Sequence, residues 1–454
     1  MVSFSRKPRP LHARPRRTTG WLRATSAAPK AAEGSVLFLG QFTAYVLLLG
    51  IAHTVQSGLL KALANVYAVV IFGLVAFAWA TREHPPSRWA TALVACGMVY
   101  AAGIACSIAV NPQDILWGDL VKASLGPGFL VFGAAFERAR AAAGSPPLWA
   151  QKNVRLMFAL LVLVPLLTWA GQLLQSGFEI DGVRETSIFA NRNNAAVYAV
   201  TMVGLFTVIH GRPLKSLLLF MVVGVMFGTL GVLLAVVIAL ALTVARPREL
   251  ALLALLIAAG TAGYIAFPEV GPFKRITPVV DSVRLLLEGR IHLRTVSFGD
   301  LVVLLKTQDL SFLFRLKHWA DLWFVFSNAD AYHWLFGHGV GSSIRLSDLR
   351  LVPHNDYIRV GFEFGLVTLV AWLAMFGLVL LRCGRRWETV PLLVVLIYLF
   401  SENLTTNYIA MAFFYFSAGA LAERIGAMKA HQREAVRAER RAGYAAPQAV
   451  PQPR

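Results

Sequence analysis

Long apolar runs separated by short polar connections recur from residue 35 to residue 424. A helix needs about 20 predominantly apolar residues to cross the roughly 30 Å hydrocarbon core of a bilayer. The runs predict about twelve such spans, near residues 35–52, 61–81, 90–109, 115–136, 155–175, 194–210, 214–228, 231–245, 250–267, 358–381, 389–403 and 408–424. Stretches such as LLVLVPLLTWAGQLL are apolar on every face, whereas strands of a membrane barrel alternate in polarity over about 10 residues. The expected fold is therefore an all-α polytopic membrane protein. The run 214–245 as one helix would measure about 48 Å at about 1.5 Å per residue, too long for one span. Gly228 and Gly231 in its middle predict a turn there.

This pattern divides the chain into a tail over 1–34, nine spans within 35–267, a large segment over 268–357, three spans within 358–424, and a second tail over 425–454. A structureless loop as long as 268–357 is uncommon and usually functional. Its apolar periodicity predicts helices lying on the membrane surface, with Trp319 and Trp323 at interfacial depth.

Charge refines this picture. Lys+Arg 43 against Asp+Glu 24 gives +19, which taken alone would admit a nucleic-acid partner. The tails, however, supply +7 (residues 1–34) and +4 (residues 423–454), more than half of the excess. The connections TREHPPSR, ERARAAAGSPPLWAQKNVR, HGRPLK, ARPRE and RCGRRWE alternate with the weakly charged NPQDI and SENLTTN. Lys and Arg mark the cytoplasmic side, so both termini are expected inside, 268–357 outside, and no nucleic acid is expected. Both tails are expected to be disordered. Only 15% of residues are charged, against about a quarter in soluble domains, which excludes a water-soluble enzyme. The first apolar run lacks a small-residue cleavage site and is expected to be an uncleaved anchor. Three cysteines give no disulfide framework, and no internal repeat points to a two-half transporter.

Segment 268–357 holds ten Lys/Arg, nine Asp/Glu and five of the ten histidines: His292, His318, His333, His338 and His354. An external basic cluster is not explained by topology. Arginine suits phosphate, because its planar fork makes paired hydrogen bonds and keeps its charge; for any single arginine, a solvated mixed-charge surface is the plain alternative. His354 stands in PHNDYIRVGFEFG at the start of a span. An imidazole there can accept a proton near neutral pH, or simply hydrogen-bond the helix start. His333 and His338 are five apart, which does not bring them onto one helix face, and no HExxH or CxxC exists, so no metal is expected. The glycines of FGHGVGSS lack the following Lys-Ser/Thr of a P-loop and predict a tight turn. Glu363 and Glu402 stand out as carboxylates within spans, which are functional candidates by default. Two isolated carboxylates argue against a proton pump and leave a lipid-glycan transporter as a rival.

LFGHGVGSS followed by PHNDYIRVGFEFGLVTLV resembles the signature of the O-antigen ligase and Wzy polymerase superfamily, in which a G-x-G turn precedes H-N-x-Y and a glycine-rich span start. FRLKHW resembles the family's Arg followed by Trp, and RETSIFANRNNAA resembles its Arg, small residue, Phe, then Asn-Pro-Asn. By motif the resemblance covers about residues 180–424. It implies a bacterial inner-membrane, metal-independent, inverting glycosyltransferase with no cofactor and a periplasm-facing site. The implied donor is an undecaprenyl-diphosphate-linked glycan. The acceptor is a hydroxyl of the lipid A core in a ligase, the first expectation, or a growing glycan in a polymerase, the alternative. Carried over by motif, His354 is implied as the general base and Arg184 and Arg315 as the groups holding the diphosphate, supported by Asn193, Asn355, Tyr357, Gly339 and Gly341. Two departures stand out: Arg192 where Pro is usual, and Thr229-Leu230-Gly231 where many members have Ser-Arg-Gly.

Overall fold

A computed structural model of the chain describes residues 29–80, 88–111, 117–142, 148–177, 187–189, 191–210, 230–243, 247–267, 276–305 and 310–445. The described helices are α1 Pro29–Thr54, α2 Gly58–Ala80, α3 Arg88–Val110, α4 Trp117–Ala142, α5 Lys152–Gln175, α6 Arg192–His210, α7 Leu230–Thr243 and α8 Pro247–Ala266. They continue with α9 Ile276–Leu287, α10 Phe298–Leu305, α11 Ser311–Ser327, α12 Ala331–Phe336, α13 Ser342–Arg345, α14 Asp356–Cys383, α15 Val390–Tyr398 and α16 Tyr408–Ala445. No β-strand occurs among the described residues.

Six of these helices, α1, α3, α4, α5, α6 and α14, contain segments long and apolar enough to cross a membrane, and shorter apolar segments lie in α7, α8 and Trp387–Tyr398. The chain is thus an all-α membrane protein. Helix α5 illustrates why: Leu156, Leu163, Leu167 and Leu174 are exposed, and only Val154, Leu161 and Pro165 are buried. A helix that shows leucines outward over its length is solvated by lipid, where its backbone groups are satisfied internally. The span expected over 214–228 lies outside the described residues; α7 begins at Leu230.

The first half of α16 is the centre of the bundle. Gly419 meets the Leu130 carbonyl on α4, and Gly133 on α4 meets the Phe416 carbonyl, each so closely that a Cβ would collide. Reciprocal glycines let two backbones approach as small residues do in membrane helix pairs. Around them Phe38, Phe42, Phe129, Phe132, Phe413 and Phe416 form one aromatic cluster, with Phe38 stacked on Phe416 at 4.2 Å.

Two helices carry an internal proline, which removes the hydrogen bond to the carbonyl four residues earlier. Both freed carbonyls are recovered by a tyrosine from a neighbouring helix. Pro165 in α5 frees the Leu161 carbonyl, which accepts from Tyr198 Oη of α6 at 2.6 Å. Pro127 in α4 frees the Ala123 carbonyl, which accepts from Tyr100 Oη of α3 at 2.9 Å.

The described residues of segment 268–357 include the five short helices α9 to α13. Three boundaries differ notably from the sequence expectation. Helix α1 begins at Pro29, inside the tail expected to be disordered over 1–34, of which residues 1–28 lie outside the described residues. Helix α15 ends at Tyr398 instead of near 403, because the chain beyond it is drawn to the start of α14: Asp356 N donates to the Leu399 carbonyl at 2.9 Å, and the Asp356 carboxylate accepts from Thr405 N at 3.0 Å and Thr405 Oγ1 at 2.6 Å. The tail expected to be disordered over 425–454 instead continues α16 as helix to Ala445. Its run AMKAHQREAVRAERRA is built of strong helix formers, and prolines return only from 447 onward.

Candidate functional site

The site is assembled at one end of the bundle, around the start of α14. Helix α14 is interrupted at Gly365, whose φ of 81° and ψ of 172° lie outside the helical region. The interruption removes the helical partners of the two preceding turn carbonyls, and the turn after α12 supplies replacements: His338 N donates to the Phe362 carbonyl at 2.9 Å and Gly339 N to the Glu363 carbonyl at 3.0 Å. Gly337, with φ 79°, faces Glu363, and Gly365 faces Leu335, so a Cβ on either glycine would strike the other segment's backbone. The glycines of FGHG and FEFG therefore interlock. Gly339 (φ 92°) backs onto Asn111, and Gly341 (φ 76°) starts α13.

A buried ion network underlies this turn. Arg359 Nη2 bonds Asp119 Oδ2 of α4 at 2.9 Å and its Nε reaches Glu363 Oε1 at 3.3 Å, while Ser343 Oγ donates to the same Glu363 oxygen at 2.5 Å. Glu363, one of the two carboxylates prominent in the sequence, is thus committed to joining α13, α14 and α4.

His354 immediately precedes the helix and is held on both sides. Trp319 Nε1 of α11 donates to the Pro353 carbonyl at 2.6 Å, and Asn355 Oδ1 caps α14 by accepting from Ile358 N at 3.0 Å. Between these anchors His354 has φ 48°, a left-handed conformation that costs a non-glycine residue free energy and persists only where its surroundings impose it. Its side chain remains 37% exposed.

Glu402 draws the site together from the segment between α15 and α16. Its Oε1 accepts from Asn193 Nδ2 of α6 at 2.6 Å and Arg315 Nη2 of α11 at 2.8 Å, and its Oε2 lies 3.3 Å from His354 Nδ1. The carboxylate is buried, at 6% exposure, beneath two more exposed partners, Arg315 at 26% and His354 at 37%. With Nδ1 turned to a carboxylate, Nε2 is the ring nitrogen left to take a proton from a ligand hydroxyl. The other guanidinium donors of Arg315 bond no described residue.

Of the residues singled out in the sequence, Asn193, Arg315 and His354 meet on this one carboxylate. Asn355 caps the helix, and Tyr357 Oη is bonded to the Leu396 carbonyl at 2.6 Å. Arg184 and Thr229 lie outside the described residues. Three residues after Arg184 in the sequence, Ser187 is clamped: its N–H and carbonyl bond the Gln172 amide at 2.5 and 2.9 Å, and its Oγ donates to the Pro165 carbonyl at 2.6 Å. Arg192 opens α6 at the first helical position, a place that also favours proline. Sequence reasoning gave no role to Asp356, Asp119 or Arg359. The Asp in PHNDY was the available signal for the first, and an Arg and a Glu four apart in one apolar span for the last.

Two histidines near the site are neutral by burial. His318, one turn beyond Arg315 on α11, is fully buried; desolvation pushes it down to about 4, the Ser343 backbone partly opposes this, and nearby His354 reinforces it. His338 is stacked on His333 at 4.7 Å and is likewise pushed down to about 4, mainly by desolvation. His333 is engaged by Asp330 at 2.8 Å through Nδ1.

Two apolar grooves flank Tyr357 below the site. One, of about 230 Å³, lies between α11 and α14 and is lined by Trp319, Trp323, Phe326 and Leu366. The other, of about 610 Å³, runs between α7, α14 and α15 and ends at Phe400 and Ser401, beside Glu402.

No protein-family model matches the chain, and no curated protein is similar to it at a significant level.

Proposed function

We propose that the protein is a lipid-linked glycan transferase that moves a glycan from an undecaprenyl-diphosphate donor to a hydroxyl acceptor, in the manner of an O-antigen ligase acting on the lipid A core. The observation that carries this reading is the convergence of His354 and Arg315 on Glu402 at one end of a membrane-embedded bundle. The motif resemblance adds the donor and acceptor classes. A lipid-linked substrate also explains why a polar site adjoins apolar grooves. The chain is taken to reside in a bacterial inner membrane with this end facing the periplasm and both termini in the cytoplasm.

In this reading His354 Nε2 removes the proton of the acceptor hydroxyl as its oxygen attacks the anomeric carbon. The bond from that carbon to the diphosphate oxygen breaks, and Arg315, with Arg184, stabilises the charge that develops on the leaving diphosphate. Fixed cations aimed at developing charge are a large source of catalysis, and a base opposite the leaving group gives inversion. The polymerase alternative uses the same chemistry with a growing glycan as acceptor.

Glycan profiling of a deletion strain complemented with wild type or His354→Ala, at matched membrane levels, tests the reading. Long undecaprenyl-linked chains with bare lipid A core support a ligase. Single lipid-linked repeats support a polymerase. A wild-type profile overturns the transferase reading and favours a transporter.

A further inference from the structure

Glu402 does more than anchor a histidine, because its single negative charge is divided between a permanent cation and a titratable base. Arg315 occupies Oε1 at 2.8 Å and His354 approaches Oε2 at 3.3 Å, the longer contact. The guanidinium and the imidazole therefore share one buried carboxylate. Arg315 is also the more exposed partner of that ion pair, with donors to spare for an arriving anion. We propose that Glu402 is a positioning residue that couples the two ends of the displacement: an anionic diphosphate engaging Arg315 releases carboxylate charge to His354, so that the base gains proton affinity when the leaving group is in place.

The catalytic role of this coupling rests on the transferase reading, whereas its electrostatics rest on the geometry alone. Among the described residues, the charged and titratable groups facing His354 are Glu402, Arg315, His318 and Asp356. Glu402 comes from the segment before α16, and Arg315 and His318 from α11; His318 is neutral by burial. On α14, Asp356 is committed to the backbone and hydroxyl of Thr405. A carboxylate beside an imidazole favours its protonated form, and a cation held by that carboxylate offsets the effect. During reaction the proton leaves the acceptor oxygen for His354 Nε2, the electron pair of the broken bond goes to the diphosphate, and the Arg315–Glu402 pair polarises to match both new charges. Once the diphosphate departs, Arg315 returns to Glu402 and His354 releases its proton to solvent.

The test uses the full chain in detergent and diethyl pyrocarbonate, which acylates the neutral imidazole. The rate of modification at His354 is followed by mass spectrometry against pH to give a midpoint. Arg315→Gln is expected to raise the midpoint by about one pH unit, within the range for a charge a few ångströms away. Glu402→Gln is expected to lower it, and Arg315→Gln introduced on top of Glu402→Gln is expected to add little. Arg315→Lys, which keeps the cation, is expected to leave the midpoint near wild type and guards against a folding artefact. Inorganic pyrophosphate is expected to raise the wild-type midpoint and to have no effect on Arg315→Gln. Equal shifts from Arg315→Gln in both backgrounds, or no shift, overturn the coupling. Because none of these readouts requires glycan transfer, a failed coupling and a failed transferase reading are distinguishable: the former shows in the midpoints, the latter in the His354→Ala glycan profile.

Discussion

The two ends of the bundle each bury a glutamate among arginines, yet they are built differently. At the end opposite His354, Glu137 of α4 is held by Arg140 at 2.9 and 2.6 Å and by Arg424 at 2.9 and 3.5 Å, and is 1% exposed. Its neighbour Glu423 is bridged by Arg138 and Arg382, both at 3.4 Å. There each carboxylate is surrounded by two permanent cations and joins helices. At the His354 end, Glu402 has one permanent cation, one amide and one titratable ring, and its partners face outward. A saturated carboxylate fixes structure, whereas a shared one leaves a charge that a ligand can redistribute.

Replacing each hub sharpens this contrast. Glu137→Ala leaves Arg140 and Arg424 partly buried without their carboxylate, and breaking a buried pair costs about 3–5 kcal/mol. It is expected to lower the melting temperature and membrane level more than any other change considered, with the surviving protein retaining activity per molecule. Glu402→Gln preserves size and keeps an acceptor oxygen for Asn193 and Arg315, and is expected to leave the melting temperature within about 2 °C. On the proposed transferase reading, transfer per molecule is expected to fall about tenfold or more, the scale of losing one well-aligned charge in a catalytic site. A large stability loss from Glu402→Gln without a transfer defect would erase the distinction between the two ends.

Smaller effects refine it. The proton affinities of His318 and His338 are depressed in the folded chain to about 4, while the unfolded chain binds those protons near pH 6.5. Their contribution to stability is therefore present at neutral pH and lost as pH falls from about 6.5 towards 4. Melting temperature followed from pH 7 to 4.5 is expected to drop, and His318→Gln is expected to make that slope shallower. The smallest expected change is Tyr198→Phe in the middle of the bundle, which orphans the Leu161 carbonyl. Side-chain hydrogen bonds between membrane helices are worth about 1 kcal/mol, readable as a slight fall in melting temperature with unchanged activity.

The helical architecture was legible because apolar runs of span length admit few other solutions. The turn glycines and His354 were legible because their motif compresses the glycine interlock and the strained histidine into one short stretch, 337–365. Glu402 was visible only as an unusual carboxylate. Its partners Asn193, Arg315 and His354 are as many as 209 positions away, and pairing across that distance is set by helix packing, which hydropathy does not encode. Asp119 illustrates the same limit: only contact between α4 and α14 reveals that it neutralises Arg359. The run-on of α16 to Ala445 was missed for the opposite reason, since composition read as a polar tail concealed a favourable local helix propensity.

The proline repairs also constrain how this sequence can change. Pro165→Ala restores a backbone donor to Leu161 and displaces the Tyr198 hydroxyl into an apolar interior, whereas Tyr198→Phe strands the carbonyl. Each single change passes through an unsatisfied polar group, and only the double change returns to a fully bonded helix pair. Pro127 with Tyr100 obeys the same rule. Descendants of this chain are therefore expected to keep or lose each pair together, so that two residues far apart in sequence are inherited as one character.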